Sequence, residues 1–332
     1  MTGLESIGER KIIELILEQL GKMPKMPIPF GDDVSAYPLS GSQLLILKTD
    51  MLVDKTDVPL GMSLWQAARK AVVMNVSDFA AKGAEPKVIL VSLGLPRNLS
   101  EKDISEIGAG LNAGAREYGA YVVGGDTNEA SDLVISLSVF GVAKKNSVML
   151  RSGAKPGDLV AVTGFFGKTY AGLKILLDNF EASQKIREAL VQSVLMPCAR
   201  LKEGLALRET KAVTAAIDSS DGLAWSLHEI SKVSNVGFLI DKLPTAEEVK
   251  KFAETTGFDP LELTLYGGEE YELVLTITPK LWNKAEKAVE KVGGKLLQIG
   301  KVTAEKKVVL EIDRKRRFIE PRGWEHFRKS NV

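Results

Sequence analysis

The sequence predicts two α+β domains with mixed sheets. Three observations predict it. The length of 332 residues accommodates two hydrophobic cores. Apolar, strand-like runs alternate with helical patterns through both halves. Between the halves lies a turn-rich link, Arg151-Ser152-Gly153-Ala154-Lys155-Pro156-Gly157-Asp158, which places a boundary near residue 148. The expected division is an N-terminal domain over 1–148 and a C-terminal α+β domain over 149–332.

The first helix is expected over 5–20, with Ile12, Ile13, Ile16, Leu17 and Leu20 on its apolar side and Gly21 as its stop. A Met/Pro-rich loop follows, and then a buried strand over 44–47 that ends at Thr49-Asp50. Ser63 with Gln66 is a capping-box pattern that opens a long helix over 64–82. That helix is apolar nearly all round and should be buried. Strands over 87–95 and 120–123 flank a helix over 100–118, and 133–142 reads as a half-exposed strand. The second half predicts a strand over 159–162, helices through 207, a strand over 213–217, a helix from Asp221 and a strand over 237–240. A helix opened by Thr245 and Glu248 follows, then a strand over 271–277, another helix, and two closing strands near Leu296 and Val309.

Composition narrows the function. Hydrophobic residues make up 45% and charged residues 26%, as in ordinary globular proteins. A net charge of +1 leaves no footprint for nucleic acid, and Arg314-Lys315-Arg316-Arg317 reads as a solvated turn. The single Cys198 excludes an internal disulfide and fits a reducing cytoplasm. With only His228 and His326, zinc sites and histidine-based catalysis are poor fits. Met1 to Arg10 lacks an apolar signal core, and no run approaches the ~20 apolar residues of a membrane span. A soluble protein is expected.

Five acidic clusters carry the chemistry: Gly31-Asp32-Asp33, Thr49-Asp50, Asn75-Val76-Ser77-Asp78, Gly124-Gly125-Asp126-Thr127 and Asp218-Ser219-Ser220-Asp221-Gly222. Most stand where a strand-like run ends or a helix begins, where loops deliver side chains to a shared site. Converging carboxylates repel unless a cation lies between them. Hard oxygen ligands without matching histidines or thiolates point to Mg²⁺, and so to phosphate handling. Asn75 and Asp78 lie three apart inside the apolar helix, where an unpaired carboxylate costs several kcal/mol. Asp78 is therefore read as a metal ligand in preference to a salt-bridge partner of Lys82. Gly164-Phe165-Phe166-Gly167-Lys168-Thr169 follows a strand and opens a helix, yet it is no P-loop: two residues separate its glycines, and Val162 stands where the first glycine belongs.

Taken in order, Gly-Asp-Asp, Thr-Asp-Met-Leu-Val, Asn-x-Ser-Asp-x-Ala-Ala-x-Gly-Ala, Gly-Gly-Asp-Thr, Arg-Ser-Gly-Ala-x-Pro-Gly-Asp, Asp-x-Ser-Asp-Gly-Leu and Gly-Glu-x-Tyr-Glu-Leu resemble the thiamine-monophosphate kinase family. The likeness runs from Gly31 to about Phe327. The resemblance implies the aminoimidazole ribonucleotide synthetase-like fold, an N-terminal α/β and a C-terminal α+β domain, and a homodimer joined through N-terminal sheets. It implies that several Mg²⁺ ions held by Asp33, Asp50, Asp78, Asp126, Asp218 and Asp221, with an oxygen from Thr49, bridge ATP and thiamine monophosphate. By the same resemblance Gly125, Asp126, Arg151 and Ser220 contact ATP, with Arg151 neutralising charge, while Asp57, Glu269 and Trp324 meet the thiamine end. No residue is implied as an acid or base, because the acceptor phosphate is already anionic.

Three departures stand out. Lys48 replaces a small hydroxyl residue and cannot ligate Mg²⁺, so one ion is expected to be lost or replaced by its charge. Asp57 stands where a histidine is common, and Glu270 replaces an aspartate. Two alternatives remain open: ATP-dependent activation of a carboxamide or selenide, disfavoured by the mid-chain position of Cys198, and a non-catalytic nucleotide-binding module, disfavoured by the intact acidic set.

Overall fold

The computed structural model describes residues 3–327. The first half contains α1 (Gly8–Gln19), β1 (Ser35–Pro38), β2 (Gln43–Val53), the single turn α2 (Asp54–Asp57), α3 (Leu64–Lys82), β3 (Glu85–Leu95), α4 (Glu101–Glu117), β4 (Tyr121–Glu129) and β5 (Val134–Lys144). The second contains β6 (Leu159–Val162), α5 (Lys168–Leu177), α6 (Gln184–Leu195), α7 (Leu201–Thr210), β7 (Val213–Asp218), α8 (Leu223–Ser234), β8 (Gly237–Ile240), α9 (Glu247–Thr256), α10 (Pro260–Tyr266), β9 (Leu273–Ile277), α11 (Trp282–Lys291), β10 (Leu297–Thr303), β11 (Val308–Ile312) and β12 (Lys315–Phe318).

Two mixed sheets organise these elements. The first has the order β1-β2-β5-β3-β4, antiparallel except for the β3–β4 pair. The second has the order β12-β11-β8-β10-β6-β9-β7, antiparallel except for β11–β8.

Helix α3 is the spine of the molecule. Ser63 accepts from the Gln66 N–H while the Gln66 side chain accepts from the Ser63 N–H, the expected capping box, and Gly83 ends the helix in the left-handed region at φ 60°. From Ala67 onward almost every residue is buried, because α3 packs against α4 and α7 as well as β2 and β7. The close approach to α7 depends on Gly204, where a Cβ would lie 2.0 Å from the Ala80 carbonyl oxygen. One continuous apolar core therefore runs from Ile46 and Val139 of the first sheet through α3 to Leu207 and Leu275 of the second half.

Several expectations needed correction. Strand β2 does not stop at Asp50 but runs on to Val53, and its eleven residues all pair with β5. Strand β4 continues through the Gly-Gly-Asp-Thr motif, so that motif lies on an edge strand and not in a loop. The basic run forms strand β12; only Asp313 and Arg314, both with positive φ, make the turn. Helix α10 was not anticipated, and Thr245 does not cap α9: its hydroxyl pairs with Thr264 instead. Helix α1 keeps little of its apolar side covered, with Ile13 and Ile16 about half exposed. Among the described residues no helix is long and apolar enough to cross a membrane.

Candidate active site

Asp33 precedes β1, Asp78 lies in the last turns of α3, and Asp218 is the final residue of β7. Their carboxylate oxygens come within 4.8 Å of one another, and all three residues are buried. Three elements distant in sequence thus deliver three charges to one spot in the core.

Cations answer part of this charge. The Lys82 ammonium meets Asp32 at 2.6 Å, Asp33 at 2.7 Å and the Ala216 carbonyl at 2.9 Å, which uses its three donors. Arg151 donates from Nε to Asp33 Oδ1 at 2.5 Å, from a terminal nitrogen to the Gly31 carbonyl at 2.8 Å, and from its backbone N–H to Asp32 at 3.0 Å. Burial works against the Asp33 charge, but Lys82 and Arg151 outweigh it and hold that carboxyl below its ordinary range. Lys48 lies 2.9 Å from Asp78 and 3.3 Å from Asp50. The bland pairing of Asp78 with Lys82 is therefore replaced: Lys82 serves the Gly31-Asp32-Asp33 segment, and Lys48 serves Asp78.

The remaining imbalance is informative. Asp32, Asp33, Asp50, Asp78 and Asp218 face Lys48, Lys82 and Arg151, so that with every group ionised two negative charges are left unmatched. Burial and the neighbouring Asp33 push Asp218 up to about 6, although Ser77 donates to it at 2.7 Å. Burial also drives Asp78 well above the carboxylate range, with Asp218, Asp50 and Asp33 adding to the effect. One helical turn from Asp78, the Asn75 amide donates to the Ala71 carbonyl while its buried Oδ1 has no hydrogen-bond partner. Oxygen-only donors, a surplus of charge matching one divalent ion and an orphaned amide oxygen fit a hard cation such as Mg²⁺.

Strand geometry sorts the other expected ligands. Leu44, Ile46 and Leu52 are buried on the α3 side of β2, so Lys48 and Asp50, at the same parity, project there too. Thr49 points the opposite way, with its hydroxyl donating to the Leu137 carbonyl at 2.8 Å. Asp126 does not join the cluster within one chain. It shares a row with Met51, Ser136 and Ser92 on the sheet's open face, whereas Asp50 shares a row with buried Leu137 and Val91. Three strand spacings, about 14 Å, and the thickness of the sheet separate the two aspartates.

A second group of residues gathers beside the first. Lys70, fully buried in α3, donates to the Asp57 carbonyl at 2.7 Å and pairs with Glu269 at 2.5 Å. Glu269 adopts a left-handed φ of 61°, and its N–H donates to the Ser220 carbonyl at 2.6 Å. The Asp57 carboxylate accepts from the Val53 N–H at 2.7 Å. Trp324 is 44% exposed, and its N–H donates to the Asp221 carbonyl at 3.0 Å. Its Cβ lies so near Gly268 that an added methyl there would sit at 3.3 Å. Asp57, Glu269 and Trp324 are thus linked through Lys70 and the Ser220-Asp221 backbone. Asp221 itself faces Arg10, which stacks on Trp225 at 3.6 Å and pairs with Glu229 at 2.6 Å.

The sequence Glu269 to Glu272 divides its acids among separate tasks. Glu270 accepts from the Gly167 and Thr169 N–H groups at the start of α5, at 2.7 and 3.1 Å. That helix N-terminus, where a phosphate would sit in a P-loop, is already filled by a carboxylate. Burial raises Glu270 to about 8. Glu272 accepts from Arg200 at 2.5 and 2.8 Å and from the Thr163 hydroxyl at 2.7 Å. Neither histidine approaches the cluster: His228 bonds the Ile319 carbonyl, and His326 lies edge-on to Trp324.

Ser77, Lys70, Lys82 and Arg10 were not assigned roles from sequence. The available signal was two lysines twelve positions apart in a largely apolar helix, where burial without partners is prohibitive.

Comparison with known proteins places the chain in a family. Residues 31–143 match the AIR synthase related protein N-terminal domain, and residues 155–313 match the corresponding C-terminal domain. The thiamine-monophosphate kinase of Nitrosopumilus maritimus is 35% identical over 98% of this chain and all of its own length. That of Pyrococcus horikoshii is 38% identical over 98% of each chain. A solved structure of AaThiL complexed with AMPPCP and TMP superposes with a TM-score of 0.85 at 31% identity, covering 98% of this chain and 99% of that one. The hydrogenase maturation HypE–HypF complex, at 22% identity and a TM-score of 0.74, shares the fold alone. With both domains matched in order and relatives 35% and 38% identical over nearly their full length, the chain belongs to the thiamine-monophosphate kinase family of AIR synthase related proteins.

Proposed function

We propose that the chain moves the γ-phosphoryl of ATP directly onto the phosphate of thiamine monophosphate, giving thiamine diphosphate and ADP. The observation that carries this reading is the buried convergence of Asp33, Asp78 and Asp218 with two negative charges unmatched. Mg²⁺ bound there would neutralise and bridge the phosphates of donor and acceptor.

The chain's own residues supply position and charge. Lys82 and Arg151 fix Asp33, Ser77 fixes Asp218, and the β2 pairing with β5 fixes Asp50. Arg151 engages three of its five donors, so two N–H groups remain for a phosphate oxygen. Gly125, Asp126 and Ser220 are proposed to meet ATP, and Asp221 a further ion. The acceptor phosphate needs no general base to expose its nucleophile, consistent with a cluster free of histidine. Glu269 and Asp57 are proposed to face the cationic thiazolium, with Trp324 offering an indole face for stacking.

A homodimer is part of the proposal. Strand β4 is an unpaired edge with every residue exposed, and the same sheet leaves Met51, Leu90, Tyr121 and Val142 open. Such an edge and face invite a second copy. In a dimer joined over that face, Asp126 would serve the partner's cluster and not its own. The domain division near residue 148, between the two sheets, and a cytoplasmic setting, which suits the exposed free Cys198, belong to the same reading.

The test is transfer of label from [γ-³²P]ATP. Label should reach thiamine diphosphate only when both thiamine monophosphate and Mg²⁺ are present. Phosphate release to water with no labelled thiamine diphosphate would overturn the assignment. Inversion at a chiral γ-phosphorus would support direct in-line transfer, and retention would point to a phosphoenzyme.

A further inference from the structure

We infer that Lys48 is a resident cation: its ammonium holds the position between Asp50 and Asp78 that a divalent ion would otherwise take. The chain then binds one ion fewer than the same site without the lysine. This rests on the metal reading above and adds to it the number of ions and the residue that sets it.

Lys48 Nζ is 2.9 Å from Asp78 and 3.3 Å from Asp50, so it bridges two carboxylates that no other cation among the described residues contacts. Asp78 also belongs to the Asp33–Asp78–Asp218 group. It therefore faces the candidate ion position on one side and a fixed ammonium on the other. An ammonium has no lone pair and cannot enter a coordination shell, whereas Mg²⁺ demands oxygen ligands at about 2.0–2.1 Å. The two cations cannot share the gap. Lys48 is not a free surface side chain that swings aside readily: it is 19% exposed and issues from a strand paired along its whole length. A tethered charge is present at every Mg²⁺ concentration, so this part of the cluster is organised before any ion arrives.

The experiment counts Mn²⁺ bound per chain by electron paramagnetic resonance, with a non-hydrolysable ATP analogue present. It compares the wild type with Lys48→Ser, Asp218→Asn and the double variant Lys48→Ser/Asp50→Asn. Lys48→Ser should bind one additional Mn²⁺. It should also melt lower than wild type in chelator and recover when Mn²⁺ is added. The double variant, which loses one charge of each sign, should fold without metal and return to the wild-type count. If Lys48→Ser folds only with metal, counting on material refolded in Mn²⁺ still reads the extra ion. Equal counts for wild type and Lys48→Ser, with fewer in Asp218→Asn, would overturn the inference while leaving the metal reading in place. No Mn²⁺ bound by wild type, and no change on Asp218→Asn, would overturn both.

Discussion

Ser77 donates a 2.7 Å hydrogen bond from α3 to Asp218 at the end of β7, joining residues 141 positions apart inside the carboxylate cluster. That bond favours the charged form of Asp218, yet burial and Asp33 prevail and leave the group at about 6. A carboxyl raised in the folded state contributes stability that is complete below its unfolded value near 3.8 and is lost as pH rises through 6. Asp218→Asn should therefore stabilise the metal-free chain relative to wild type, by up to about 3 kcal/mol at pH 7 and little at pH 4. Urea titrations in chelator at the two pH values check this. A substitution equally destabilising at both would mean the carboxylate is not held at a cost.

Activity should move the other way. Asp50→Asn and Asp126→Asn each keep side-chain shape and lose charge, and phosphoryl transfer should fall to background with melts in chelator little changed. Near-wild-type turnover at saturating Mg²⁺ would contradict the role of Asp126 as a ligand and, for Asp50, its place in the charge array that Lys48 completes.

The opposed faces of Asp50 and Asp126 yield a mixing experiment. Asp126→Asn and Asp218→Asn should each be inactive alone. When the two are unfolded and refolded together, half the dimers should be mixed, each with one of its two sites intact, restoring about a quarter of wild-type activity. No recovery, with mixed dimers demonstrated, would place Asp126 in its own chain's site.

The group around Lys70 should govern the acceptor and not ATP. Trp324→Ala should raise the KM for thiamine monophosphate several-fold, in line with a cation–π contribution of about 0.5–2 kcal/mol, and leave the KM for ATP nearly unchanged. Asp57→Ala should behave likewise. Lys70→Met, which frees Glu269 from its partner, should also change the acceptor KM selectively. Equal changes in both KM values would assign these residues to packing.

Glu270 offers a test of the filled helix terminus. Glu270→Gln keeps an oxygen for the Gly167 and Thr169 N–H groups but cannot ionise. Stability of the wild type should decline as pH rises from about 4.5 through 8, and the variant should lack that decline, with turnover retained. Thermal melts between pH 5 and 9 measure both.

Much of this architecture was legible before any coordinates. Helix α3 and its capping box appear where Ser63, Gln66 and the apolar run predicted them, and β6 and β8 match to the residue. These signals are local: a cap, a period, a turn. The positions that escaped are those decided by distant partners. Nothing near Lys82 in sequence says that it prefers Asp32 and Asp33 to Asp78 four residues away; that choice follows from where the segment before β1 is carried. Asp126 reads as one more acidic loop residue until strand pairing assigns it a face. Strand β12 was hidden because a basic run on a fully exposed edge carries no apolar alternation.

The stretch Glu269-Glu270-Tyr271-Glu272 shows how much depends on order alone. Its two left-handed residues, Glu269 and Tyr271, turn three successive acids toward three separate partners: Lys70, the first turn of α5, and Arg200. Moving the tyrosine by one place would conserve composition, net charge and hydropathy. It would nevertheless misaddress every acid it displaced. A drift of sequence that is neutral by residue class is therefore not neutral here. The four positions are related to one another as letters in a word, and only the spelling in this chain connects Lys70 of α3, a helix terminus and Arg200 in a single pass.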